Sequence, residues 1–232
     1  TWGKSGLREA SRVGNSHVAW DGVEDGYNRL PSAEEVTLSK NPAYVHVTSN
    51  ETIQGVQWQA IPTFQNVPLI CDSSSDFLSR PVDIADYGML YACAQKNAGI
   101  AGVTVAVVRR DLLSRSEEKL PAMLNYQTFV EKGSRPNTPP VFAVYILGLV
   151  CEWILNDVGG LEHIAARNAA KVSKVYDVID SSEGFFRGHA CPASRSIMNV
   201  TFRLPSEELE AAFVKNAAAE GLTDLKGHRS VG

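Results

Sequence analysis

Three polar points in this chain sit where a buried strand gives out, and their side chains could share one piece of chemistry. The apolar run Met89–Ala94 stops at Gln95, Lys96 and Asn97, with Gly99 and Gly102 just beyond and a second apolar run, Val103–Val108, after them. Pro68–Cys71 stops at Asp72, followed by three serines, and Ala43–Val47 stops at Thr48-Ser49-Asn50-Glu51-Thr52. A lysine leaving a buried strand can place its amine in a pocket. Burial disfavours the ammonium, and the neutral amine is a nucleophile. Taken singly, each point has a plainer explanation. Lys96 reads as a solvated strand end, Asp72 before serines as a helix N-cap, Trp2 as core packing, and Asn137-Thr138-Pro139-Pro140 as a turn entering a helix.

The elements that must carry these residues are short apolar strands with polar exits, the pattern of a mostly parallel sheet flanked by helices. In such sheets ligands gather at the carboxyl ends of the strands. The sequence predicts helices over Lys4–Val13 and Ser32–Ser39 and a strand over His17–Trp20. In the second half it predicts a buried helix from Val141 to Asp157 closed by Gly159-Gly160, and a helix over Leu161–Ile179. A half-buried strand follows from Met198 to Leu204, then a helix over Ser206–Glu220. The fold class expected is α/β, with residues 1–160 as a large domain and 161–232 as a smaller α+β domain.

Composition narrows the function. The 232 residues are 44% hydrophobic and 21% charged, with a formal net charge of -4, so neither nucleic acid nor an anionic membrane is an expected partner. The apolar run Val141–Cys151 is shorter than a bilayer span. Cys71, Cys93, Cys151 and Cys191 form no CxxC pair and read as reduced thiols of a cytoplasmic protein. The five histidines show no ligand spacing, so no metal is expected.

Pyridoxal phosphate chemistry needs a lysine to hold the aldehyde, a carboxylate against the pyridine nitrogen, a flat residue over the ring and donors for the phosphate. Lys96 and Asp72 fit the first two roles. Trp2 can cover the ring, Thr52 can donate to the ring hydroxyl, and Gln95, Asn137 and Thr138 can contact the phosphate.

In combination, five stretches resemble the phosphoserine aminotransferase family of class-V, fold-type-I pyridoxal phosphate enzymes along the whole chain. They are His46–Gly55, Asp72–Pro81, Gly88–Gly102 around Ala94-Gln95-Lys96-Asn97, Asn137–Pro140 and Lys226-Gly227-His228-Arg229. The resemblance implies that Lys96 carries the cofactor and shuttles the Cα proton. It implies that Asp72 meets the ring nitrogen, Trp2 stacks on the ring, Thr52 bonds the ring oxygen and Gln95 holds the phosphate. Asn137 and Thr138 would come from the partner of a homodimer, and His228 and Arg229 would bind the substrate's phosphate across it. The implied reaction passes an amino group between L-glutamate and 3-phosphohydroxypyruvate, giving O-phospho-L-serine and 2-oxoglutarate in serine biosynthesis. The family's chains are longer at both ends, so a polypeptide of these residues alone is expected to hold the cofactor weakly and turn over little. Two other readings stay open. One is a different class-V activity, alanine–glyoxylate transamination or cysteine desulfuration with Cys191 as the mobile thiol. The other is a non-catalytic binding module.

Overall fold

The computed structural model describes residues 2–117 and 119–228. The chain divides into two compact units. One comprises Lys40–Ser49 and Pro62–Ala165, the other Thr1–Ser39, Asn50–Ile61 and Ala166–Gly232. The backbone therefore passes from one unit to the other four times. The expected boundary after residue 160 falls close to the last passage, and the other three lie within the stretch expected to be one domain.

The first of these units holds a four-stranded sheet. Its strands, in chain order and in spatial order, are β1 (Val45–Thr48), β2 (Leu69–Asp72), β3 (Met89–Cys93) and β4 (Thr104–Val108). β1, β2 and β3 run parallel, and β4 returns antiparallel to β3. Alternation decides the faces. Val45, Leu69, Cys71, Leu90 and Ala92 are buried on one face. His46, Ile70, Asp72 and Tyr91 point to the other, which is only partly covered. The sheet is thus mostly parallel, as its short apolar strands predict.

In the same unit the long apolar segment begins with helix α2 (Val141–Glu152) and continues as a single wider turn, Trp153–Val158, before Gly159 stops it in a left-handed conformation (φ 92°). The loop leaving β3 packs on its start. An added Cβ on Gly99 would lie 3.5 Å from the Leu147 backbone, and Gly102, at φ 121°, lies against Pro140 and Ala143. Those glycines are used for close approach rather than for flexibility.

The helix itself corrects an expectation. It was expected to be buried, yet only Ala143 and Ile154 are, while Val141 and Phe142 are each 67% exposed. Periodicity and hydropathy report that a surface wants cover, not that the same chain provides it. The unbroken helical stretch Val141–Val158 is also longer than the apolar run, long and apolar enough to cross a membrane by length and composition. It carries Glu152 and Asp157 within that length.

The other unit is built on two small antiparallel ribbons, Asn50–Glu51 with Val56–Gln57 and Arg187–Gly188 with Phe202–Arg203. Phe185, Phe186, Phe202 and Phe213 pack edge to face, with centroids 5.0 to 6.3 Å apart. Helix α1 spans Trp2–Ala10. Helix α3 (Leu161–Ser181) enters this unit at Ala166. Helix α4 (Glu207–Ala219) starts at Ser206, whose hydroxyl accepts the Leu209 N–H, and ends before Gly221.

Three expected elements shrink here, each for a local reason. From Met198 to Leu204 only Phe202–Arg203 is strand. The amides of Met198 and Asn199 are taken by the Ser196 hydroxyl and that of Ile197 just before them by the Gln57 side chain, so the ladder does not begin there. Ser32–Ser39 forms a single 3-10 turn, Ala33–Glu35. Glu35 closes a capping box on Ser32 and is gripped by Arg29, and Val36 then turns extended. His17–Trp20 is no strand either. Its cross-links to the neighbouring segment are one backbone bond, Thr37 N–H to the Ala19 carbonyl, and the His17 ring on the Thr37 carbonyl.

Candidate active site

The carboxyl edge of the parallel strands is where the chemistry-bearing side chains collect. Thr48 and Asp72 are register partners at the ends of β1 and β2, and Asp72 is in turn the partner of Tyr91 on β3. Asp72 does not cap a helix. Its Oδ1 accepts the Ser74 N–H at 2.9 Å, and the residues after it run as turns. This local bond spends one carboxylate oxygen on the backbone and fixes the rotamer of a half-buried acid.

The rim is pinned by a residue the sequence reading passed over. Asp76 is buried and accepts the Ser73 hydroxyl at 2.7 Å and the Ser49 hydroxyl in a very short bond, so it joins the exits of β1 and β2. The Ser49 N–H meets the Asp72 carbonyl (2.9 Å), Ser73 N–H the Tyr91 carbonyl (2.8 Å), and Cys93 N–H the Ser74 hydroxyl (3.1 Å). The spacing Asp72-Ser73-Ser74-Ser75-Asp76 held the signal: a second acid four residues on, with hydroxyls between.

Lys96 and Gln95 follow the end of β3, and Asn97 anchors their turn by donating to the Phe77 carbonyl at 2.7 Å. Both Lys96 and Gln95 are exposed. That corrects the expectation of a buried amine, because the described residues of this chain leave the edge open, so desolvation must come from whatever else occupies it.

Behind Asp72, on the same sheet face, stand Tyr91 and His46. Tyr91 is the register partner of Asp72, and His46 Nε2 lies 3.0 Å from the Tyr91 hydroxyl. Burial raises the Tyr91 pKa above its ordinary value, with the charge of Asp72 adding to it. His46 keeps an exposed edge, but burial of much of its ring pulls its pKa down, with Asp72 opposing. An apolar cleft of about 280 Å³ also opens on this unit, lined by residues such as Tyr44, Ile70, Met89, Leu112 and Tyr126. It lies toward the amino ends of the strands and carries no acid or amine pair, so it is not where the chemistry sits.

The remaining predicted residues are placed less closely. Asn137 and Thr138 are exposed in the turn before α2, Asn137 donating to the Thr138 carbonyl. Trp2, Thr52 and His228 belong to the other unit. Trp2 begins α1 and is half exposed, Thr52 is half-buried in the turn of the first ribbon, and His228 is exposed. Arg229 lies outside the described residues. The structure thus brings together Asp72, Gln95 and Lys96 on one edge. Cys71, Cys93, Cys151 and Cys191 are free thiols.

This arrangement, with an acid and a lysine on the carboxyl edge of a mostly parallel sheet, fits the class to which the chain's relatives belong. Residues 7–231 match the model of the aminotransferase class-V family, and the chain belongs to that family. Within it, the chain is 49% identical to a phosphoserine aminotransferase of Rhodopirellula baltica, over 100% of this chain and 62% of that protein. It is 50% identical to the one of Niallia circulans, over 100% and 64%. A solved phosphoserine aminotransferase from Bacillus circulans superposes with a TM-score of 0.96 at 50% identity, over 100% of this chain and 64% of the other. A phosphoserine aminotransferase from Trichomonas vaginalis, solved with PLP bound, superposes at 0.89 and 36% identity, over 100% and 66%. The chain spans somewhat under two thirds of the length of the curated relatives it matches.

Proposed function

We propose that this chain is part of a phosphoserine transaminase, which passes an amino group between L-glutamate and 3-phosphohydroxypyruvate to give O-phospho-L-serine and 2-oxoglutarate. The observation that carries this reading is the edge itself. A half-buried Asp72, oriented by the Ser74 N–H, stands one strand away from the turn that presents Lys96. This donor set fits pyridoxal phosphate, which supplies an electron sink for the pair left when a proton departs from the substrate Cα.

Asp72 would balance the charge of a protonated ring nitrogen, and Lys96 Nζ would hold the aldehyde end and serve as the base that moves the proton at the substrate Cα. Gln95 presents its amide to the phosphate. The resemblance supports the same use for Trp2 and Thr52 against the ring and for Asn137 and Thr138 against the phosphate. It also supports His228 and Arg229 as donors to the substrate phosphate, where a guanidinium suits a dianion. In domain terms, residues 1–160 serve the cofactor and 161–232 the smaller C-terminal part. A cytoplasmic homodimer completes the reading, supported by the apolar surface that α2 leaves uncovered.

The test is chemical. Borohydride reduction of the holoenzyme is expected to leave the cofactor fixed to the peptide containing Lys96, found by mass spectrometry, and Lys96→Ala is expected to abolish both the adduct and turnover. An adduct on a different lysine, or a Lys96→Ala protein that still transaminates, would overturn the assignment.

A further inference from the structure

We propose that Thr201 and Asn199 are positioning residues for the cofactor: the segment that carries them fastens the turn holding Thr52 and so aims the Thr52 hydroxyl at the ring oxygen. The inference rests on the reading of Thr52 given above and names the residues on which that reading depends.

The turn is short and closed on itself. Asn50–Glu51 and Val56–Gln57 pair as an antiparallel ribbon, with Asn50 opposite Gln57 and Glu51 opposite Val56. Thr52, Ile53 and Gln54 fill the bend. The Gly55 N–H returns to the Glu51 carbonyl at 2.9 Å, and Gly55 itself takes φ 66°. A ribbon with two residues in each strand is marginal at best when left alone in water, so its shape must be set from outside.

Residues 195–201 set it. The Ser196 N–H donates to the Gly55 carbonyl and the Thr201 hydroxyl to the Gln54 carbonyl, each at 2.9 Å. The Ile197 N–H donates to Gln57 Oε1 at 2.9 Å, and the Asn50 side-chain amide donates to Asn199 Oδ1 at 2.7 Å. Both strands of the ribbon and the exit of its bend are thereby fastened to one stretch of chain. The two are in direct contact. A Cβ added to Gly55 would stand 2.7 Å from the Asn199 carbonyl oxygen and 2.8 Å from Thr201 Oγ1.

The supporting segment is itself held. Ser196 is fully buried, its hydroxyl accepts the Met198 and Asn199 amides at 3.0 Å, and its carbonyl accepts the Tyr176 hydroxyl of α3 at 3.0 Å. The Thr201 carbonyl accepts the His189 N–H at 3.1 Å, just before the strand Phe202–Arg203. Groups already locked by their own partners can fix a second group at little further entropic cost. Of the four bonds to the ribbon, two are donated by backbone amides. The other two use the side chains of Asn199 and Thr201, and they act before and after Thr52 along the chain.

A double-mutant cycle separates aiming from mere stapling. The holoenzyme and its variants are stripped of cofactor and titrated with pyridoxal phosphate by tryptophan fluorescence, with each apo-protein's melting temperature recorded alongside. Thr52→Val is expected to weaken binding roughly tenfold, and Thr201→Val, which keeps the shape and removes the donor, roughly three- to tenfold. In the Thr52→Val background, Thr201→Val is expected to add less than about twofold, because the hydroxyl it would misplace has already gone. Thr201→Ser restores the donor and is expected to bind within about twofold of the parent. Asn199→Leu is expected to behave as Thr201→Val does.

A Thr201→Val loss that is equally large with and without the Thr52 hydroxyl overturns the inference, since the segment then serves only the fold. Parent-like affinity in Thr201→Val, where Thr52→Val is weakened, overturns it as well. Should Thr201→Val fail to fold, the same cycle run with Asn199→Leu decides by the same two outcomes. All of these leave the reading of Thr52 intact. If Thr52→Val itself binds the cofactor as the parent does, that reading is wrong and the inference falls with it.

Discussion

Removing the buried carboxylate of Asp76 should loosen the active-site edge more than its distance from any reacting atom suggests. Asp76 accepts hydroxyls from Ser49 and Ser73, which leave the ends of two different strands, and its own N–H reaches the Ser73 carbonyl. A hydrogen bond to a charged group contributes roughly 1.5 to 3 kcal/mol. In Asp76→Ala the Ser49 hydroxyl can fall back on the Asp72 carbonyl at 3.1 Å, whereas the Ser73 hydroxyl loses its charged partner. Relief of a desolvated carboxylate offsets part of the loss. The net cost comes to about 3 kcal/mol, which for a chain of this size is roughly 6 to 12 °C of melting temperature. Asp76→Asn keeps one acceptor oxygen and should cost less than half of that. Differential scanning calorimetry of the apo-protein measures both, and titration with pyridoxal phosphate should show Asp76→Ala binding more weakly. A melting temperature within about 2 °C of the parent for Asp76→Ala, or a larger loss for Asn than for Ala, would refute the reasoning.

Other outcomes follow from the same structure. The pKa of His46 is lowered from its ordinary 6.5 in the fold. The unfolded chain therefore takes up a proton first on acidification, and stability present above pH 6.5 is lost as pH falls through the lower folded value. In urea titrations between pH 7 and 5, His46→Gln should flatten that part of the decline. Cys71 is fully buried with its thiol pushed up to about 12, so a thiol reagent at pH 8 should label Cys93, Cys151 and Cys191 in the native protein and Cys71 only after denaturation. Peptide mass mapping checks it. Replacing Phe142 and Tyr145 on the open face of α2 with glutamate should shift the holoprotein toward monomer in light scattering if a second subunit covers that face. An unchanged mass would count against the dimer. Gly102→Ala places a side chain at φ 121°, with Pro140 and Ala143 at ordinary contact distance. The cost should therefore be backbone strain of roughly 1 to 3 kcal/mol, seen as a lower urea midpoint.

Where strand ends coincide with polar residues, the sequence was sufficient. β1, β2, β3 and β4 sit close to where their apolar runs predict, and Asp72, Gln95 and Lys96 lie at the edge those runs imply. What could not be read is whatever depends on partners far along the chain. Met198–Leu204 alternates like a strand, yet its first two amides go to the Ser196 hydroxyl, and Ile197 just before them answers to Gln57, some 140 residues earlier in the chain. The Ser32 helix fails because Glu35 is claimed by Arg29 as well as by its own cap. The apolar helix from Val141 was read as buried because hydropathy cannot name the surface that covers it. Lys96 was expected to be buried for a similar reason, since the sequence identifies the strand exit but not its roof. Tyr91 and His46 were missed as a pair because only the register of the strands brings them together, whereas Asp76 was passed over although its spacing from Asp72 carried the signal.

The detour between the first two strands has a bearing on how this polypeptide acquires its shape. The backbone leaves the sheet after Ser49, spends residues 50–61 in the other unit, and comes back at Pro62 to lay β2 beside β1. No uninterrupted piece of the gene encodes either unit alone, so splitting the chain at one point cannot yield two independent folding pieces. The parallel pairing on which Asp72 depends must wait for a loop that is itself under construction elsewhere, a non-local closure of the kind that slows folding.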